Sequence, residues 1–183
     1  MSKHYKVAVI GPIPRDHITT YRGEVIEKYG CITHPTIGLA QLLEGQGTVY
    51  PIPHIRKQDT EAVKEIFAPY PAIDMEGVSD EADSGDVIKL KFLDQNFRVE
   101  KQTAFMNAIV PADLAPFLDC DAFVFVPITD HEIALDTVKY LREHAKGVII
   151  FDAHGPTHTM TIGGDRHKKF WVERDQWLPY IDV

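Results

Sequence analysis

Lys6-Val-Ala-Val-Ile-Gly-Pro-Ile-Pro-Arg-Asp16 is the stretch on which the reading of this chain turns. Residues 6–10 form an unbroken β-rich apolar run, and Gly11-Pro12-Ile13-Pro14 stops it abruptly. A strand with apolar side chains at every position is buried on both faces, which is the signature of a central strand in an α/β sheet rather than of a half-wet antiparallel one. Ligands of open α/β sheets bind beyond the carboxyl ends of the strands, and Asp16 follows such an end in a Gly/Pro-rich loop. A carboxylate placed there can accept hydrogen bonds from two neighbouring hydroxyls.

The same rhythm extends outward. Pro35 in a first turn, the apolar face of Ile37, Leu39, Ala40, Leu42 and Leu43, and Gly45 beyond it predict a helix over 33–44. A strand over 48–52 is expected at a sheet edge, because Pro51 lacks an N–H. A second helix is expected over 59–67, with Asp59 or Thr60 as its cap. Residues 122–126 read as a buried strand, and Thr129 and Glu132 have capping-box spacing ahead of a helix ending at Gly147. Residues 148–151 are the next parallel strand. Residues 155–164 read as loop, 170–180 as a short helix, and 180–183 as the start of a further strand.

Residues 71–103 depart from that pattern. Val87-Ile-Lys-Leu-Lys-Phe92 and Phe97-Arg-Val-Glu100 alternate apolar and charged residues around Asp94-Gln-Asn96, which is the pattern of an antiparallel hairpin with one wet face. This predicts an inserted β-lid over 85–103, on which Arg98 and Glu100 read as solvated strand charges in preference to groups that reach a substrate.

Composition bounds the function. The chain has 183 residues, 44% hydrophobic and 25% charged, with a net charge of −8 and dispersed Lys and Arg. There is no basic stripe for nucleic acid or an anionic membrane, and no apolar run long enough to span a bilayer. Two cysteines, Cys31 and Cys120, make no disulfide framework, so a cytoplasmic location is expected.

Val7-Ala-Val-Ile-Gly-Pro-Ile-Pro-Arg-Asp-His-Ile18 resembles the opening strand and loop of the ribokinase-like (PfkB) carbohydrate kinases, with Pro12 and Pro14 where Ser and Asn are common. Tyr29-Gly-Cys-Ile-Thr-His-Pro35 is similar to that family's Gly-Gly pair opening a helix, with Cys31 in place of the second glycine. Asp152-Ala-His154, Arg166 and Phe170-Trp171 resemble its Asp-x-Asn…Arg…Leu-Trp stretch. Residues 177–183 resemble its Leu-Pro-x-x-Asp lead into the next strand.

The resemblance implies a three-layer α/β/α sandwich, mostly parallel, of which residues 1–183 are the N-terminal part of one domain, with the lid at 85–103. It implies Asp16 as the acceptor of substrate-hydroxyl hydrogen bonds, Gly30 and Cys31 at the sugar, Arg166 as an anion clamp, and Asp152 and His154 near substrate or phosphate. Phosphorylation of a sugar or nucleoside hydroxymethyl group by ATP with Mg²⁺, and a homodimer through the lid, are implied with it. The family's Gly-Ala-Gly-Asp motif, which carries the general base, is missing. Neither Ser84-Gly-Asp86 nor Gly163-Gly-Asp165 precedes a small-residue helix, and there is no Walker A sequence. The base is therefore expected beyond Val183, and the chain alone is expected to be inactive.

Two other readings follow from the residues themselves. Asp152, His154 and His158, with Asp130-His131-Glu132 at a second strand end, are ligand types for a metal-dependent hydrolase. A non-catalytic sugar- or nucleotide-binding module would also lack the base. A dinucleotide-binding dehydrogenase is disfavoured, since Gly11-Pro-Ile-Pro14 has no G-x-G-x-x-G fingerprint.

Overall fold

The computed structural model describes residues 3–183. Strand β1 (Tyr5–Ile10) lies inside a four-stranded parallel sheet, and its side chains divide by the period of two. Ala8 and Ile10 pack into one core with Phe123, Phe125, Leu141 and Ile149. Val7 and Val9 pack into a second core with Ile32, Val49 and Val63. Both faces are covered, which explains the unbroken apolar run.

Beyond the turn at 11–14 the chain departs from the expected loop. It forms β2 (Arg15–Thr19), which pairs antiparallel with β3 (Val25–Tyr29) around Gly23, where φ is +85°. Helix α1 (Thr33–Leu42) then leads to β4 (Gly47–Ile52), the edge strand beside β1, with Pro51 opposite Val9. Asp59 precedes α2 (Thr60–Phe67), but its side chain does not cap the helix. It accepts hydrogen bonds from Arg56 Nε (2.7 Å), Tyr29 Oη (2.9 Å) and Arg15 (3.3 Å), fastening the root of the β2–β3 hairpin to the body.

Strands β5 (Val87–Phe92) and β6 (Arg98–Ala104) form the second hairpin, its turn closed by Asp94 Oδ1 accepting from the Asn96 and Phe97 amides. Because β2 pairs parallel with β5, the lid is a four-stranded sheet in the order β3-β2-β5-β6. The hairpin expected over 85–103 is thus only half of the lid, and residues 15–29 supply the rest. Short, charge-rich strands joined by a non-local parallel pairing leave little local signal.

Short α3 (Pro111–Leu114) precedes β7 (Ala122–Phe125), α4 (Leu135–His144) and β8 (Val148–Phe151), completing the sheet order β4-β1-β7-β8. Residues of α1 and α2 enter the core on one face, and those of α3 and α4 the core on the other, giving three layers. The mostly parallel α/β sandwich with a β-lid therefore stands as expected.

The segment read as loop over 155–164 contains β9 (His158–Met160), which pairs antiparallel with β10 (Arg166–Lys168). The helix expected over 170–180 shortens to α5 (Arg174–Trp177), followed by one 3₁₀ turn. Residues 182–183 run alongside β8: the Asp182 amide donates to Ile149 O (2.8 Å) and the Phe151 amide to Val183 O (2.9 Å). Among the described residues no helix is long and apolar enough to cross a membrane.

Candidate functional site

Two turns meet at the carboxyl ends of β1 and β7. At Gly11 a Cβ would lie 2.6 Å from Val126 O, so only glycine lets the two turns approach this closely. The lid folds over this point, and its pleat decides which side chains look inward. Ladder register sets Asp16 beside Ile88 and, one step along the same face, Leu90 beside Glu100.

The result is an inner pocket of about 130 Å³ between Asp16, Ile88, Leu90, Arg98 and Glu100 of the lid and Pro14, Cys31, Ile128 and Arg166 below. It opens into an outer basin of about 620 Å³ by Phe97, His154, His158, His167 and Lys168, with Arg98, Glu100 and Arg166 on the shared rim.

Asp16 is a strand residue, not a loop residue as its sequence suggests. Burial pushes its carboxyl up to about 6, with Arg98 opposing and Glu100 adding to the rise, and no hydrogen bond contributes. A partly buried carboxylate without a protein donor is a hydrogen-bond acceptor held ready for a ligand.

Gly30 stands directly behind it, where a Cβ would come within 2.7 Å of Asp16 Oδ2. The Gly30 amide already donates to Pro14 O (3.1 Å), so this glycine supplies room for the carboxylate rather than a donor for the ligand. Cys31 has φ +51°, the left-handed region in which glycine is the ordinary choice. Its Sγ–H donates to Val126 O (3.1 Å), and burial raises the thiol pKa well above the ordinary range, which makes it an inert wall.

Arg166 opens β10 and bridges lid and body. It donates to Glu100 Oε2 (2.8 Å) and Ile128 O (2.8 Å), and it meets His154 Nε2. Glu100 also takes the Nε of Arg98 at 2.7 Å. Burial acts to raise the Glu100 carboxyl, but the guanidinium groups of Arg166 and Arg98 outweigh it and hold the group ionised. Burial, Arg166 and His158 together lower the His154 pKa, and its ring stacks on that of His158 at 4.4 Å. Asp152 is exposed, and its Oδ1 accepts from the His154 amide (2.9 Å), so it braces the basin's edge without lining it.

The pocket thus gathers Asp16, Cys31 and Arg166, with Gly30 behind Asp16 and His154 in the basin. Sequence reasoning favoured solvated strand charges for Arg98 and Glu100, which instead line the pocket. Their signal is the period of two, legible only once residues 15–19 are paired with 87–92.

A second polar cluster lies at the root of the lid. Asp86 Oδ1 accepts from Gln102 Nε2 (2.7 Å) and the Met106 amide (2.8 Å). Glu132 accepts from the Ile128 and Thr129 amides (2.6 and 3.2 Å) and from Thr129 Oγ1 (2.7 Å). The Thr129/Glu132 spacing therefore closes a turn, and α4 begins three residues later, at Leu135. Burial and the nearby charge of Asp86 raise the Glu132 carboxyl, and burial with Asp83 nearby raises that of Asp86.

Among the described residues no group of three or more His, Cys, Asp or Glu side chains can hold a metal ion. Asp130 instead pairs with Lys169 at 2.6 Å. The sequence has no glycine-rich phosphate loop of the Walker A type. The larger groove of about 810 Å³, by Tyr5, Asp119, Cys120 and Lys146, opens at the opposite end of the sheet.

No protein-family model matches the chain, and no curated protein matches it in sequence. Solved structures match it in fold. A pyrophosphate-dependent kinase in the ribokinase family, complexed with a pyrophosphate analog and myo-inositol, superposes with a TM-score of 0.80 at 17% identity over 96% of this chain and 59% of that one. An uncharacterized sugar kinase from Pyrococcus horikoshii in complex with ATP gives 0.59 at 15% identity, over 80% and 52%. The Burkholderia thailandensis nucleoside kinase in complex with inosine gives 0.59 at 12% identity, over 80% and 52%. The chain has the ribokinase-like fold and spans between half and three-fifths of the length of these proteins.

Proposed function

We propose that the protein carrying this chain is a kinase that transfers a phosphoryl group to a hydroxyl of a sugar or nucleoside, and that these residues supply mainly its acceptor-binding part. One observation carries the reading. Asp16 presents a half-buried carboxylate, free of protein donors, to a pocket roofed by a β-lid at the carboxyl ends of a parallel sheet. Its two oxygens accept hydrogen bonds from adjacent hydroxyls and fix the orientation of the ring. The lid covers one side of the same pocket, and Arg166 ties lid strand β6 to the body at the rim.

The donor in this reading is ATP with Mg²⁺, bound by the intact protein. The fuller superposition on the pyrophosphate-dependent kinase supports pyrophosphate as a second reading. In this reading the general base belongs to polypeptide outside these residues. A lid-mediated homodimer and a cytoplasmic location belong to the same proposal, with no nucleic-acid or membrane partner.

The test is calorimetric titration of the chain with sugars, polyols and nucleosides, in wild type and Asp16→Asn. Binding of at least one of them, weakened roughly tenfold or more by Asp16→Asn, is expected, because a hydrogen bond to a charged group contributes about 1.5–3 kcal/mol. Absence of binding by every compound, or equal binding by the variant, would sink the reading. Turnover with either donor by the 183-residue chain alone would overturn the placement of the base.

A further inference from the structure

Three of the four lid strands are rooted at one residue. Asp86 immediately precedes β5, and its backbone carbonyl accepts from the Arg15 amide (2.9 Å) at the start of β2. Its Oδ1 accepts from Gln102 Nε2 (2.7 Å), near the end of β6, and from the Met106 amide (2.8 Å), where the chain re-enters the body. A bulge at this end of the ladder, where Val87 pairs with Ala104 but Ile88 with Gln102, sets Gln102 opposite the buried Ile88. The Gln102 amide in turn donates to Gly164 O (2.8 Å), two residues before the Arg166 that lines the pocket.

That pair of side chains carries an unmatched set of atoms. Asp86 and Gln102 are 2% and 1% exposed, and Asp86 Oδ2 and Gln102 Oε1 have no hydrogen-bond partner among the described residues. Both are acceptors, on two planar groups whose other arms already bond each other. With Asp86 ionised, two buried acceptors stay unpaired, which folded proteins rarely tolerate. A proton on Oδ2 resolves both at once. Oδ2–H donates to Gln102 Oε1 while Gln102 Nε2 donates to Oδ1, closing a two-bond ring between acid and amide.

The surroundings favour the neutral acid. No cation pairs with Asp86 among the described residues. Asp83 is nearby, its Oδ2 accepting from the Asn107 amide (3.1 Å) and lying 3.5 Å from His54 Nδ1, and the buried Glu132 carboxyl acts on the same space. The Cys31 thiol is buried, and burial lowers the pKa of His131, whose Nδ1 meets Thr129 Oγ1 (2.7 Å), so neither brings a charge. The guanidinium of Arg15 turns away to Glu27 and Asp59, and that of Arg56 to Asp59.

We propose that Asp86 and Gln102 form a proton latch at the root of the lid: the neutral acid, ring-bonded to the amide, holds the lid closed, and loss of its proton to solvent releases β5 and β6. The sign follows from burial and from Asp83, which raise the Asp86 carboxyl above its ordinary value of 3.8 while the lid is closed. The closed lid keeps a proton that the open lid has released, so closure is lost as pH rises. A weakening of acceptor binding over the same range is a consequence that rests on the acceptor-site reading above; the latch itself does not.

Hydrogen exchange of the whole chain tests the latch, with protection of the amides in β5 and β6 compared with that in β1 and β7. Between about pH 5.5 and about pH 8.5, protection in the lid should fall roughly tenfold or more beyond any change in β1 and β7. Asp86→Asn is a permanent latch: its side-chain nitrogen donates to Gln102 Oε1 at every pH, and its Oδ1 keeps both donors. In that variant lid protection relative to β1 and β7 should not vary with pH, a result that a merely structural change would not give. Should Asp86→Asn not fold, Gln102→Leu takes its place, and at about pH 5.5 its lid protection should drop to near the wild-type level of about pH 8.5.

A wild-type lid that follows β1 and β7 at every pH overturns the latch, as does an Asp86→Asn lid with the wild-type pH slope. Recovery of lid protection at about pH 8.5 on exchanging tetramethylammonium chloride for potassium chloride also overturns it, because a cation would then bridge the two oxygens. Exchange needs no ligand, which separates the latch from the acceptor-site reading. If the lid behaves as stated but calorimetry with sugars, polyols and nucleosides detects no binding, the latch stands and the acceptor-site reading fails. Asp16, raised to about 6, titrates in wild type and Asp86→Asn alike, so the readout for a compound that binds is the affinity ratio of variant to wild type. That ratio should rise roughly tenfold over the same pH range, and a constant ratio overturns the link from latch to acceptor binding.

Discussion

Gly30 and Asp16 share one space: the position a Cβ would take on Gly30 is 2.7 Å from Asp16 Oδ2. The contact joins the turn before α1 to the second residue of β2. It sets where the carboxylate sits, because a larger residue at 30 would push it out of the pocket.

Gly30→Ala should therefore act on binding more than on folding. The atom in the way belongs to a side chain that can move, so the stability cost should stay near the low end of the roughly 1–3 kcal/mol typical of overpacking. Acceptor affinity should fall about tenfold or more as the carboxylate is displaced. In an Asp16→Ala background the stability cost should vanish, and denaturant unfolding of the four proteins of that cycle measures it. A cost that persists without the Asp16 side chain would show that Gly30 is required for some other reason.

Cys31 makes a cleaner backbone test. Its φ of +51° strains any residue with a Cβ. Cys31→Gly and Cys31→Ala both remove the sulfur and its bond to Val126 O, so their difference isolates the backbone. Cys31→Gly should be the more stable by about 1 kcal/mol, read from denaturant midpoints. Equal stability would contradict a left-handed Cys31.

The buried Asp86–Glu132 pair predicts a pH dependence with a definite sign. The folded pKa of Glu132 is raised above its ordinary value of 4.5, so the folded state keeps a proton that the unfolded state has already released. Stability should thus decline as pH rises, from near 4.5 on through neutrality. Glu132→Gln removes that titration while keeping an acceptor for the Ile128 and Thr129 amides. It should flatten the decline and gain on wild type by on the order of 1 kcal/mol or more between pH 5 and pH 8. A variant whose stability profile runs parallel to wild type would show that Glu132 titrates normally.

Legibility in the sequence followed burial. β1 and β7 pack into a core on each face, so each appears as an apolar run, and β8 reads the same way although Val148 on its second face is exposed. The position of Asp16 just past the end of β1 was legible because the turn at 11–14 marks a strand end, although its actual place on β2 was not. The Thr129/Glu132 spacing was read as the start of a helix, but it closes a buried turn instead. Glu132 is fully buried and satisfies two amides, a demand that spacing alone does not convey.

Local sequence determined the parallel sheet, its helices and the β5–β6 hairpin, because propensity, turn chemistry and periodicity act within a few residues. Only the tertiary structure decided the other half of the lid. Pairing β2 with β5 joins segments about seventy residues apart, and nothing local encodes that contact. The same pairing turns Asp16 and Glu100 onto one face, over Gly30 and beside Arg166. The pocket is thus a product of register: a shift of one residue in β6 would send Glu100 to the opposite face of the sheet.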